Sequence, residues 1–466
     1  MPFVILPTNS ASGGYDITNS LRFNSGSSDD LNRTFTTPTN NKIFTWSGWV
    51  KRSSLGTMST IFRTIANGSN VSTGFRFEET SNIFRFFFFN ASDGDLQTTQ
   101  VFRDVSAWYH LVVAVDTTQA TSSNRVKIYS NGSQITSFST ATYPTQNYNP
   151  QMNSAINHFI GKYSVVDEYY NGYMSDVFFI DGQQLTPSSF GETDEDTGIW
   201  KPKAFSGTYG TNGFYLQFKN SASLGTDSSG NGNNFTVNNL TSIDQTTDTP
   251  TNNFATLNSL DNYYLAGTFT EGNLKLATSS TPETWCTSTF ALSAGKWYWE
   301  TKITSGNIYD RIGIADNVPT SASSRLGNSA YTYAYRGNDG SKLNNSSASS
   351  YGSTWTTGDI IGVALDLDNN KLYFRKNGTW QNSGDPVAGT GQAFTVTATS
   401  SNGSGFYFPA FADDGGSVSS TVEFNFGNPT YTSGSYTDGA GYGNFSYSVP
   451  SGYYALNTKN LANFGF

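Results

Sequence analysis

Trp108-Tyr109-His110-Leu111-Val112-Val113-Ala114-Val115-Asp116 is followed by Val126-Lys127-Ile128-Tyr129 and an Asn131-Gly132 pair. The first run is apolar enough to be a central strand. The second ends in the dipeptide that most strongly signals a tight hairpin. Phe44-Thr45-Trp46-Ser47-Gly48-Trp49-Val50 alternates in the same way. Short alternating runs recur along the whole chain, separated by Asn-Gly, Asp-Gly or Ser-rich turns, and helical periodicity is nearly absent. That is the pattern of sandwiches and barrels. Ile83-Phe84-Arg85-Phe86-Phe87-Phe88-Phe89 is apolar on both sides of its pleat. It predicts a strand facing core on one side and a covered surface on the other, because an exposed run of this kind would aggregate.

Composition agrees. The 35 Phe, 27 Tyr and 9 Trp suit half-buried pleated surfaces, and 46 Gly supply turns. Only 13% of the 466 residues are charged, against roughly 25% in an average soluble domain. The surface must therefore be solvated by hydroxyls and amides. The net charge is −9 and the pI about 4.8, with no basic run. No nucleic-acid partner and no anionic membrane surface is expected. Cys286 is the only cysteine, which excludes an intramolecular disulfide and a multi-cysteine zinc site. The opening Met1–Pro7 run is too short for a signal peptide, and no stretch reaches the roughly 20 apolar residues of a membrane span, so no membrane insertion is expected. Sequons at Asn67, Asn131 and Asn377 are expected by chance in a chain this rich in Asn, Ser and Thr.

The length suits two or three domains. From Ser221 to about Leu260 the composition shifts to turn residues, Asp227–Asn234 and Thr246–Asn253, which places a domain boundary near residue 250. Strand patterns resume at Gly272–Leu276 and run to about Gly427. The predicted organisation is an N-terminal arm over 1–14, a first domain over 15–220, a linker over 221–267, a second domain over 268–430 and a Tyr/Gly-rich tail over 431–466. The fold class is all-β, with two antiparallel jelly-roll sandwiches in tandem.

Two family resemblances follow from the motifs. Ser20–Asn24 with Asp29-Asp30, the Trp46–Lys51 and Trp108–His110 strands, the Ile128–Gly132 hairpin, Phe159–Lys162 and Asn171–Gly182 resemble, in order, the laminin-G-like, concanavalin A-like jelly roll. Gly295-Lys296-Trp297-Tyr298-Trp299-Glu300, Ile312–Ala315, Trp355, Gly358–Asp368, Leu372–Gly378, Phe408–Ala410 and Asn425–Gly427 resemble a SPRY domain. The two joined by Thr249–Asn258, with Gly452–Thr458 in the tail, are similar to structural proteins of marine and cyanobacterial phages. That resemblance implies a tail fibre, spike or head-decoration protein on the virion surface. Its implied partners are other virion proteins and a host cell-surface glycan or receptor. It also implies a homo-oligomer, with a trimer favoured.

Residue chemistry singles out the candidate sites. Tyr331, Tyr333, Tyr335 and Arg336, with Trp380 on the neighbouring hairpin, carry residue types favoured at binding hot spots. The same alternation also describes an ordinary strand, and that reading is preferred. Asp29 and Asp30, or Asp227 with Asn231 and Asn233, offer the hard oxygens that calcium takes, and relatives of the laminin-G-like family often bind calcium. Asx-turn roles are preferred for them. No other cofactor is expected. Concanavalin-type folds also host glucanases, which present two carboxylates on one strand face. The nearest candidate, Glu192-Thr193-Asp194-Glu195-Asp196, reads as a loop, and His110, His158 and Cys286 suggest no triad. The chain is therefore expected to be a non-enzymatic binder. A depolymerase, or a purely structural glue protein using its tail as the contact, is the alternative.

The same motifs place Trp297 and Trp299 on one strand face in the core and Tyr298 on the other. Trp299→Ala is expected to cost its domain on the order of 3–5 kcal/mol; an unchanged melting curve would contradict this.

Overall fold

The computed structural model describes residues 14–65, 72–88, 93–163, 168–261, 267–279, 284–306, 309–317, 325–413 and 419–465. The N-terminal arm apart from Gly14, the sequon at Asn67 and Phe89 of the aromatic run lie outside them. The described chain is β throughout, apart from short 3-10 turns and one helix, Thr458–Phe464. It divides into two units, one ending at Thr251 and the other starting at Asn252.

The first unit is a sandwich of two eight-stranded sheets. One runs Ser133–Ile135, Val126–Ser130, Trp108–Asp116, Ile43–Arg52, Gly172–Asp181, Ser20–Phe23 and Gln245–Thr246, with Phe214–Leu216 also paired to Gly172–Asp181. The other runs Phe138–Thr142, Asp95–Val101, Ile83–Phe87, Gly74–Phe77, Ser59–Ile65, Asn157–Ile160, Asp30–Thr34 and Thr236–Asn238. Period-two alternation decides which side chains enter the core. Phe44, Trp46 and Val50 point inward, while Trp49 joins Trp108 and Tyr173 on the outer face. The Asn131-Gly132 hairpin forms with both residues at positive φ, 46° and 80°, as the tight turn demands. A Cβ on Gly132 would also come within 2.4 Å of the Trp200 ring.

Residues 221–251, expected to be part of a linker, are built into this unit. Thr236–Asn238 and Gln245–Thr246 are edge strands, and Leu224, Phe235 and Leu240 enter the core. What fastens the segment is a buried ion pair. Lys51 Nζ lies 2.9 Å from Asp248 Oδ2, both side chains being 1% exposed, and Trp108 Nε1 donates to Asp248 Oδ1 at 3.2 Å. Turn-rich composition reports local backbone needs and carries no information about such a tertiary anchor.

The second unit pairs a nine-stranded sheet, antiparallel but for one added strand, with a six-stranded antiparallel sheet. The larger runs Thr268–Thr270, Lys275–Ala277, Thr421–Asn425, Lys296–Ser305, Ile360–Asp366, Lys371–Lys376 and Thr379–Trp380, with Phe394–Thr395 and Tyr454–Ala455 as side additions. The smaller runs Trp285–Thr287, Phe408–Ala412, Arg311–Ala315, Thr332–Arg336, Ser341–Asn344 and Ser347–Ser350. Trp297 and Trp299 are fully buried between the sheets, and Tyr298 is buried on the opposite face. Gly272 and Asn273 form a turn at positive φ ahead of the Lys275–Ala277 strand, so that strand starts later than its pattern predicts.

The expected loose tail is a strap over the larger sheet. Tyr454–Ala455 pairs in parallel with Trp297 and Tyr298, beside the point where the Thr421–Asn425 pairing ends at Glu300. Phe445, Tyr453 and Ala455 are buried against Tyr298, Ala364 and Tyr373. Asn457 caps the Thr458–Phe464 helix by accepting from Asn460 N at 2.9 Å. The lead-in is tied to the same strap, Ala255 N donating to Leu456 O at 2.9 Å and Thr458 N to Asn253 O at 2.9 Å.

Under the strap lies Glu300, fully buried. Its Oε2 accepts from Ser446 N at 2.8 Å and its Oε1 from Tyr447 N at 3.1 Å and Tyr298 Oη at 2.7 Å. Arg375 Nη2 stands 3.4 Å from Oε1, and Arg375 Nη1 donates to Ser448 O at 2.8 Å. Deleting residues after 430 is therefore expected to unfold the second unit. Glu300→Ala should cost it about 3–5 kcal/mol by stranding the Arg375 charge. Calorimetry of both variants checks this; a second-unit transition unmoved by the deletion would overturn it.

Candidate functional site

The structure does not bring the predicted binding residues together. Thr332–Arg336 is a strand whose Tyr333 and Tyr335 face the core, 3% and 0% exposed, with Tyr331 packed half-buried beside them. Tyr333 Oη shares a hydrogen bond with Thr397 Oγ1 at 3.1 Å, and Tyr335 Oη donates to Ser353 O. Arg336 is gripped by Asp339, whose carboxyl Arg336 holds down at about 2. Trp380 belongs to the other sheet, where its half-buried ring lies 5.1 Å from the Arg375 guanidinium. The ordinary-strand reading of the tyrosines is the one the geometry gives.

The predicted calcium ligands are taken up by internal hydrogen bonds and, at Asp30, an ion pair. Asp227 Oδ1 accepts from Tyr215 N and Ser229 N at 2.9 and 2.8 Å, and Oδ2 from Ser229 Oγ and Asn233 N at 2.8 Å each. Asn231 Nδ2 donates to Gly210 O and Gly213 O. Asp29 Oδ2 accepts from Asn24 N at 2.8 Å, and Asp30 is paired with Lys162 at 3.1 Å and accepts from Asn238 Nδ2 at 2.8 Å. Among the described residues no group of three or more His, Cys, Asp or Glu could hold a metal ion.

The acidic run is not simply a loop. Gly191–Thr193 pairs with Trp200–Pro202, and Lys201 Nζ lies 3.0 Å from Asp194 Oδ2 and 3.7 Å from Glu192 Oε1. Cys286 is fully buried, and burial raises its thiol far above the usual range.

A different cluster emerges on the outer face of the first unit's second sheet. Phe62-Arg63, Phe75-Arg76 and Phe84-Arg85 each begin with a phenylalanine that is 0% exposed. Alternation then sends each arginine outward. Arg76 is the register partner of both Thr60 and Arg85, and Arg85 that of Gln97. In the adjoining row Arg63 lies over Gly74, where a Cβ would come within 2.8 Å of its Cγ. Phe87, the outward aromatic of the apolar run, is therefore not bare. The guanidiniums of Arg63, Arg76 and Arg85 stand 4.9, 5.5 and 5.4 Å from its ring centroid, close enough for cation–π attraction.

Carboxylates fix the guanidiniums in place. Asp95 takes Arg85 by two oxygens at 2.8 and 2.9 Å. Glu78 Oε1 bridges Arg76 Nε at 3.0 Å and Arg85 Nη1 at 3.2 Å. Glu168 Oε2 bridges Arg76 Nη1 at 2.9 Å and Arg63 Nη1 at 3.4 Å. Burial pulls the Arg63 guanidinium down to about 10. Burial opposes charge on Arg85 too, but its bonds to Asp95 and Glu78 outweigh this and leave it above its ordinary value. The Phe-Arg step in three successive strand patterns, at 62–63, 75–76 and 84–85, was the available signal in the sequence.

Comparison with known proteins accords with the tandem β-sandwich fold. Residues 23–189 match the family model of the concanavalin A-like lectin/glucanases superfamily, and residues 296–429 match that of the SPRY domain. The first unit thus carries a concanavalin A-like domain and the second a SPRY domain. The chain is 31% identical over 133 residues to the E3 ubiquitin-protein ligase RKP of Arabidopsis thaliana, covering 28% of this chain and 9% of that one. It is 35% identical over 88 residues to the Ran-binding proteins 9/10 homolog of Drosophila melanogaster, covering 18% of this chain and 9% of that one. The solved SPRY domain of human HERC1 matches at 18% identity and a TM-score of 0.26, covering 32% of this chain and 87% of that one. The chain spans under a tenth of the length of these two curated relatives. A lectin-type fold beside a SPRY domain indicates a binding or protein-interaction role.

The histidines of the first unit are fixed as neutral rings. Trp200 Nε1 can only donate, so His110 Nδ1 accepts from it at 3.0 Å and His110 Nε2–H donates to Ser47 Oγ at 2.9 Å. His158 Nε2 accepts from Asn153 N at 3.2 Å, which leaves Nδ1–H to donate to Ile156 O at 2.9 Å. Burial holds both at about 3. The unfolded chain, with histidines near 6.5, then binds two more protons than the native one as pH falls below that value. Burial raises Asp176 to about 6, so below pH 6 it keeps a proton in the native state and offsets one of the two. The first unit should therefore lose stability between pH 6 and 4 by about 1.4 kcal/mol per pH unit. Thermal scans across that window check the slope; stability that is flat or rises on acidification would contradict it.

Proposed function

We propose that the chain is a non-enzymatic structural protein of a bacteriophage particle, a tail fibre, spike or head-decoration protein displayed on the virion surface. It binds a host surface glycan or receptor, or a neighbouring virion protein. The observation that carries this reading is the pairing of two domain types associated with binding, each sealed by its own chain, in the arrangement that resembles phage structural proteins. The groups that could have acted in catalysis support it too. His110 and His158 are committed to internal hydrogen bonds, Cys286 is buried, and Glu192 and Asp194 face lysines. Weak single-site affinity is sufficient, because several copies on one particle raise avidity by about 10²–10⁴.

The glue-protein reading loses part of its support, since Phe445 and Tyr453 of the tail are buried within their own unit, while Tyr436 stays exposed. Antibody labelling of purified particles in cryo-EM tests the proposal. The expected result is regular decoration at the particle surface; a protein absent from particles overturns it. Incubation with host envelope polysaccharide should leave chain length unchanged, and shortened product would restore the depolymerase.

A further inference from the structure

We propose that Lys51 and Asp248 of the first unit condense into an intramolecular isopeptide bond, a covalent staple between the strand Ile43–Arg52 and the segment that closes the unit. This goes beyond the binding role and does not depend on it.

The fold holds the two groups at the start of such a reaction. Lys51 Nζ lies 2.9 Å from Asp248 Oδ2, and both side chains are 1% exposed. Lys51 stands in a central strand, opposite Trp108 on one side and Tyr173 on the other. Asp248 is fastened through its backbone. Its carbonyl accepts from Ser20 Oγ at 2.5 Å, and its amide donates to Thr246 Oγ1 at 3.3 Å. The rings of Trp108 and Tyr173 lie against the pair and belong to a buried cluster with Trp49 and Ile17. Reacting groups held in such contact reach effective molarities of about 10⁵–10⁸ M. Lys162–Asp30 and Lys296–Asp366 are as close, at 3.1 and 3.0 Å, but their lysines are 23% and 31% exposed, so water competes there.

The step needs no co-reactant. A proton passes from Nζ to Oδ2 along their hydrogen bond, which turns ammonium and carboxylate into amine and carboxylic acid. The Nζ lone pair then attacks Cγ, and negative charge develops on Oδ1. Trp108 Nε1–H already donates to that oxygen at 3.2 Å, and a donor fixed at a developing oxyanion lowers the barrier to acyl transfer. Nζ gives a second proton to Oδ2, which leaves as water while the Cγ–Oδ1 double bond re-forms. One C–N bond replaces one C–O bond, and nothing is oxidised or reduced. Burial pushes the same way, because ions taken out of water are held at a cost that a neutral amide avoids. The bond would close a loop from residue 51 to residue 248, in a chain whose single cysteine, Cys286, rules out an intramolecular disulfide.

Intact-mass spectrometry of the purified full chain tests the staple. The expected mass is one water below that of the sequence. Trypsin should fail to cut after Lys51 and should release the peptides carrying Lys51 and Asp248 as one branched species. Lys51→Arg keeps the positive charge but offers no amine, so K51R should have full mass and yield separate peptides, as should Asp248→Ala. Should D248A fail to fold, K51R and the parent mass decide the matter. A folded parent chain at full mass overturns the inference. So does a loss of water that persists in K51R or maps to an Asp-Gly step such as Asp339-Gly340. A chain found on particles at full mass sinks the staple and leaves the virion proposal standing.

Discussion

Glu300 and Arg375 sit in adjoining parts of one sheet, on the side away from the core, and neither can remain there bare. Removing a carboxylate and a guanidinium from water costs several kcal/mol each unless hydrogen bonds replace the lost hydration. The strap supplies those bonds from its backbone: the amides of Ser446 and Tyr447 go to the acid and the carbonyl of Ser448 to the guanidinium. The pair thus fixes the register of an irregular, Gly- and Tyr-rich segment that has almost no regular structure of its own. With that register set, Phe445, Tyr453 and Ala455 fall onto Tyr298 and Tyr373, and the tail strand meets Trp297 and Tyr298. The first unit solves the same problem with Lys51 and Asp248, which hold the segment before Thr251 over Trp108 and Tyr173.

This explains which parts of the fold were legible in the sequence. Alternation is local, so Trp108–Asp116, Lys296–Ser305 and the Asn131-Gly132 hairpin could be read from neighbouring residues alone. Asp248 and Glu300 could not. Each acts through a partner far away in sequence, Lys51 and Arg375, and nothing in the residues around it marks it as an anchor. A stretch such as Asp227–Asn234 therefore reads as linker. Its Asn and Gly are present because the backbone turns sharply there, and Asp227 and Asn233 tie those turns to Tyr215 and Gly213. Tyr333 and Tyr335 carried the reverse ambiguity. A tyrosine alternating with small residues is equally a sticky surface or a core strand with its hydroxyls satisfied, and only the facing sheet decides between them.

The arginine row was legible in principle. A phenylalanine followed by an arginine three times over, in three strands that turn out to be adjacent, is alternation with a charged outer face. The run ending in Phe87 and Phe88 hides it, because a single arginine hardly lowers the hydrophobicity of so aromatic a stretch. In the fold Arg85 is the reason the run is tolerable. An outward phenylalanine in a central strand is an aggregation hazard, and three guanidiniums over its ring remove that hazard while staying hydrated at their edges.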